Sequence, residues 1–164
     1  MSTTATEEQI VSVITSTELL QHWQGHRSLT RKVIAAFPEK EFFEYSIGTM
    51  RPFAAMVQEL LAIAVPGIKQ IVGGEAEELK EHIEEANSKA NILSLWDKAT
   101  DDINRLWAQI SNERFRETIL AFGQYEGTVW SSIFYFIDNE IHHRAQGYVY
   151  LRSLGIEPPP FWER

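Results

Sequence analysis

Four stretches of this chain repeat apolar residues at alternating spacings of four and three, and no other feature limits its possible folds so strongly. Such spacing lays one stripe of side chains along one side of an α-helix, and the stripe must be covered. In the first stretch, Thr17 to Phe37, the stripe is Leu19, Trp23, His26, Thr30, Val33 and Phe37, and Pro38 closes it. The second opens at Arg51-Pro52, with proline in the first turn where its missing N–H is harmless. It carries Phe53, Met56, Val57, Leu60 and Ile63 on one side. Pro66-Gly67 is expected to kink or end this helix, and Gly73-Gly74 closes the segment. The third begins at Ser88, a cap residue, and repeats Ile92, Trp96, Ala99, Ile103, Leu106 and Ile110. The fourth is the longest, from Thr128 to Leu154, and stops at Gly155 ahead of Pro158-Pro159-Pro160.

Four such helices bury their stripes most simply against one another, so the chain is expected to be all-α, a four-helix bundle. Strand-like runs such as Ser131 to Ile137 lie inside longer helical patterns, and no sheet is expected. The acidic run Glu75 to Glu85 reads as a solvated helix or the approach to one. Trp96, Trp107, Trp130 and Phe134 read as core, whereas Phe161-Trp162 fits either a subunit boundary or an intramolecular contact. There is no repeat or linker, so residues 1–164 form a single domain, with about residues 1–8 expected to be disordered.

Composition narrows the function classes. A net charge of −8 opposes binding to a phosphate backbone, which needs clustered Lys and Arg, so no nucleic-acid partner is expected. No apolar run approaches the roughly 20 residues of a membrane span. Without cysteine there is no disulfide, thiolate metal site or Cys nucleophile. The start at Met1, with no basic-then-apolar leader, fits a cytoplasmic protein. Phosphate-cradling glycine loops, a serine elbow and a His-Glu-x-x-His pair are all missing.

Functional sites in helical bundles come from polar residues at inward positions. On the fourth helix Val129, Ser132, Phe136, Asn139, His143, Gln146 and Tyr150 form one series whose middle is polar. Asn139 and His143 are four apart and therefore neighbours. On the second helix Glu59 sits between Met56 and Ile63, where a charge is costly unless paired. Glu59, Asn139 and His143 together offer a divalent cation (zinc, nickel, manganese or iron) a carboxylate, an amide oxygen and an imidazole. The alternatives are an ion pair in which Glu59 accepts from a protonated His143, with no metal and no chemistry, or a Glu59 that points to water at the end of the bundle. His142 lies about 100° around the helix from His143 and reaches the site's edge at most. Gln146 is placed to orient a ligand from behind. His26 reads as core and His82 as exposed.

The stretch Asp138-Asn139-Glu140-Ile141-His142-His143-Arg144-Ala145-Gln146-Gly147, followed by Tyr148 to Gly155, resembles the last helix of the DinB-like superfamily. That family shows a His, two residues, then His-His-Arg-Gly-Gln. Arg51-Pro52-Phe53 leading into Met56 to Leu61 looks like its second helix. The resemblance implies a down-up-up-down bundle, commonly a homodimer, with a three-His divalent metal site. One of those three falls on His143, while the others fall on Asn139 and Glu59; Ala145 stands where the family has Gly. It further implies a metal-dependent small-thiol S-transferase or hydrolase, with a low-molecular-weight thiol as second cofactor. The alternatives are a non-catalytic small-molecule-binding bundle with a degenerate metal site, and a stress-related interaction protein.

Overall fold

The computed structural model describes residues 13–164, so the expected disorder over 1–8 lies outside the described residues. The chain is mostly helical, with one small two-stranded sheet. Helix α1 spans Ser16–Ala36, α2 Glu39–Glu44, α3 Phe53–Gly73, α4 Lys89–Trp107 and α5 Val129–Ser153. Strands β1, Thr118–Ala121, and β2, Tyr125–Thr128, form an antiparallel hairpin just before α5.

The helix ends follow from local chemistry. Thr15 caps α1, its hydroxyl accepting from Glu18 N at 3.2 Å while Glu18 Oε2 accepts from Thr15 N at 2.8 Å. Ser88 and Thr128 cap α4 and α5 through their side chains. Gly74, at φ 80°, ends α3 in the left-handed conformation that glycine adopts without strain.

Helices α1 and α3 each pack on both α4 and α5. Two reciprocal contacts draw α3 and α5 together. A Cβ on Gly67 of α3 would lie 2.5 Å from the Phe136 ring, and one on Gly147 of α5 would lie 2.7 Å from the Phe53 ring. Only glycine lets each ring sit so close to the opposite backbone. Glu59 lies between these contacts on α3, and Asn139 and His143 lie between them on α5.

The apolar core divides in two. One cluster centres on Phe37, Phe42, Phe53, Trp96 and Tyr150, and the other on Trp23, Ile68, Ile103, Ile133 and Phe136. Polar residues fall between the two sets on three long helices, Arg27 and Thr30 on α1, Thr100 on α4, and Asn139, Glu140, His143 and Arg144 on α5, while on α3 Glu59 sits within the first set, between Val57 and Leu60. Hydrogen bonds join these residues into a polar layer, α5 to α3 through Glu59, α5 to α1 through Thr30, and α1 to α4 through Arg27 and Thr100.

Several expectations need correction. A sheet is present. Its three-residue turn carries positive φ at Phe122 (52°) and Gly123 (69°), and Gln70 of α3 grips its backbone, donating to Leu120 O at 2.8 Å and accepting from Phe122 N at 2.9 Å. Pro66-Gly67 does not end α3, which continues to Gly73. Packing of Gly67 and Ile68 into the core offsets the hydrogen bond that proline removes. Of the two readings of the acidic run the helix falls and the approach stands: it is not helical and leads to the Ser88 cap of α4. Glu77, Glu81 and Glu85 would repel one another at spacings of four, and only Leu79 and Ile83 offer apolar surface. The connection after Pro38 contains α2, which buries Phe42. Trp130 is 44% exposed rather than core, and Phe161 and Trp162 are both exposed.

Candidate ligand site

Three predicted residues meet. Glu59 Oε1 accepts from Asn139 Nδ2 at 3.1 Å and from His143 Nε2 at 3.0 Å. The sequence pattern does not single out the fourth member, Arg51, whose Nη2 donates to Glu59 Oε2 at 2.5 Å. Arg51 lies before α3 rather than on it, so helical spacing gives no hint that it folds back to a residue eight positions on. Tyr150 fixes it there, its buried hydroxyl donating to Arg51 O at 2.8 Å. Arg51 also reaches Glu81 at 3.5 Å, tying the acidic loop to the site.

These donors determine the charge state of Glu59. The bond from His143, with those from Arg51 and Asn139, holds its carboxyl down at about 2 against the opposing effect of burial. Glu59 is therefore ionised, and His143 carries its hydrogen on Nε2 when it donates. His143 Nδ1 is buried with no hydrogen-bond partner among the described residues.

Glu59 also lines a cavity of about 420 Å³ between α3, the hairpin and the first half of α5, walled by Ile63, Phe122 and Phe136. Asn139 and His143 do not line it; they hold the carboxylate from behind. His142 and Gln146 do not join the cluster. They pair with each other, nitrogen to nitrogen, at 2.9 Å on the outer side of α5. His82 is exposed, as expected.

A second buried cluster adjoins the first. Glu140 lies between Arg27 and Arg144, each 3.9 Å away, and accepts from Thr30 Oγ1 at 2.6 Å and Trp23 Nε1 at 3.2 Å. Burial pushes its carboxyl up, opposed first by Arg27. Arg27 stacks over Trp96, 4.0 Å from the ring centroid, and donates to Trp96 O at 3.0 Å. Arg144 Nη2 meets His26 Nδ1 at 2.9 Å. Arg164 Nη1 lies 3.0 Å from His26 Nε2, and His22 Nε2 lies 3.2 Å from the same atom. A neutral imidazole has one acceptor nitrogen. If Nδ1 accepts from Arg144, Nε2–H donates to His22 and the Arg164 contact is not a hydrogen bond. Glu140 and Arg144 stand four apart on α5, the spacing of a helical ion pair, but nothing in the spacing singles out Arg27, a charge on an inward stripe beside Trp23.

The donor set is a poor fit to a divalent metal. Among the described residues no three His, Cys, Asp or Glu side chains are grouped to hold one. The carboxylate already carries a guanidinium, and a metal-bound His normally donates its other ring nitrogen to a partner, which His143 Nδ1 lacks. Asn139 and His143 are also closed off from the cavity, where a catalytic ion needs an open position.

A mostly helical fold with one small two-stranded sheet is the fold that DinB-like proteins fit. The chain belongs to the DinB family, whose sequence profile matches residues 1–164. Two solved DinB-like proteins share the fold. One, from Bacillus cereus, is 17% identical with a TM-score of 0.71, over 88% of this chain and 95% of its own. The other, YjoA from Bacillus subtilis, is 18% identical with a TM-score of 0.69, over 89% of this chain and 99% of its own. The mycothiol-dependent maleylpyruvate isomerase is similar at 12% identity and a TM-score of 0.62, over 80% of this chain and 60% of its own. Among curated proteins, none matches the sequence significantly.

Proposed function

We propose that this DinB-family protein binds a small molecule in the cavity beside Glu59 and does so without a metal ion. The supporting observation is the convergence of Arg51, Asn139 and His143 on one carboxylate. Together they hold and orient Glu59, which a metal would otherwise do. The cavity volume lies within the roughly 300–1,000 Å³ typical of ligand sites, and apolar side chains line it together with a few polar and charged ones, Glu59 among them. A thermal-shift screen of small fragments, run with and without chelator, tests this reading. Stabilisation is expected to survive chelation and to vanish in Ser131→Phe, which fills the cavity. Hits that need added metal would contradict it.

A second reading is a divalent-metal-dependent small-thiol S-transferase or hydrolase, with zinc, nickel, manganese or iron on Glu59, Asn139 and His143. The meeting of those three side chains supports it. The likeness to a mycothiol-dependent isomerase makes a low-molecular-weight thiol the first cofactor to try.

We further infer a four-helix bundle in down-up-up-down order, supported by the mutual packing of α1, α3, α4 and α5. A homodimer is supported by the exposed stripe Tyr135, His142 and Val149, spaced seven apart on α5. A cytoplasmic location fits as well. Contrary to the expectation that no stretch approaches a membrane span, α3 is long and apolar enough to cross one, but 61% of its most apolar window is buried inside the protein, as in a core helix.

A further inference from the structure

The same cavity has a charge pattern that points to a class of ligand. Its inner wall is Ile63, Phe122 and Phe136, and its outer edge carries Glu81 and Glu126 with two exposed tyrosines, Tyr125 and Tyr135. Among the described residues no Lys, Arg or His lines it, whereas three carboxylates do, counting Glu59. Arg51 compensates part of that charge from outside, touching Glu59 and Glu81. It does not reach Glu126, whose side chain has no hydrogen bond or ion pair among the described residues.

The lone pairs of Glu59 point the same way. A carboxylate offers about four acceptor positions. Protein donors take three: Asn139 and His143 on Oε1, and Arg51 on Oε2. One position on Oε2 is left, on the carboxylate that lines the cavity. Aromatic faces at the rim attract cations in turn.

We propose that the cavity selects organic monocations: an ammonium or guanidinium head on an aromatic or branched-alkyl body. The head donates to Glu59 Oε2, within the field of Glu81 and Glu126, and the body lies against Phe122 and Phe136. The inference rests on the small-molecule reading above. It disfavours anionic ligands, including thiol cofactors that carry free carboxylates.

Calorimetric titration with three probes that share one phenylethyl body tests it: 2-phenylethylamine, 2-phenylethanol and 3-phenylpropionate, at pH 7 and low salt. The amine is expected to bind roughly tenfold tighter than the alcohol, a difference of about 1.4 kcal/mol, and the carboxylate weakest. Added salt and Glu126→Gln should each weaken the amine while leaving the alcohol unchanged. Glu59→Gln should remove the preference for the amine, and Glu126→Gln carries the test if the Glu59 variant does not fold. Equal binding of amine and alcohol, or tighter binding of the carboxylate, overturns the cation preference and leaves the cavity reading intact. Absence of binding by all three overturns the cation preference, and failure of the wider fragment screen would then remove the cavity reading too.

Discussion

Glu59 is a charge on an otherwise apolar helix stripe, and three donors keep it ionised. Its folded-state value, about 2, lies below the ordinary 4.5 of a glutamate. A depressed carboxylate stabilises the fold above its unfolded value, and that stability is lost as pH falls through the folded one. The loss attributable to Glu59 should therefore run from about pH 4.5 down to about 2, and amount to something on the order of 3 kcal/mol. Chemical denaturation of wild type and Glu59→Gln across that range should show the wild-type curve falling more steeply. His26 titrates with the opposite charge but the same outcome. Burial, with Arg144, His22 and Arg164 nearby, drives it from 6.5 to about 3, so the unfolded chain takes up a proton first and acid destabilises the fold below about pH 6.5. NMR should find the His26 ring untitrated between pH 8 and 5; a midpoint near 6.5 would contradict its placement. Glu140 is the most exacting of the buried charges. Glu140→Gln would leave Arg27 and Arg144 without their shared counter-charge and should destabilise by about 3–5 kcal/mol in denaturant unfolding.

Among the elements, α3 and α5 build the site because two glycines let them approach. Gly147→Ala forces a methyl against the Phe53 ring and should lower stability by about 1–3 kcal/mol. Because the separation of the two helices also sets the bonds to Glu59, this variant should shift the His143 ring resonances as well. Gly67→Ala, against Phe136 at the other end of the site, should do the same. The four long helices were legible because each carries a stripe that repeats at helical spacing over several turns. The hairpin was not, since strands of four residues, with only Ala121 fully buried, leave almost no alternation to detect. What holds it is the Gln70 amide, a contact between residues 50 apart in sequence. The acidic run misled for a related reason: its residue types favour helix one at a time, but their charges repel at helical spacing.

At the scale of the molecule, a polar layer drawn from all four long helices runs beside two apolar clusters, and the candidate site lies on its α3–α5 side. Half of that layer was visible in the sequence. Glu59, Asn139 and His143 stood out as polar residues on apolar stripes, and they meet. Arg51 lies ahead of α3, and although Glu140 and Arg144 stand four apart on α5, Arg27 joins them from α1, which no single-helix pattern reveals. The arginines also change what the layer means. A carboxylate already held by a guanidinium, an amide and an imidazole needs no metal to keep it charged and in place. Metal analysis of protein purified without chelator tests that claim most directly, with Glu59→Ala and His143→Ala measured alongside. Sub-stoichiometric metal, the same in wild type and both variants, is the predicted result; one divalent ion per chain, lost in both variants, would contradict it.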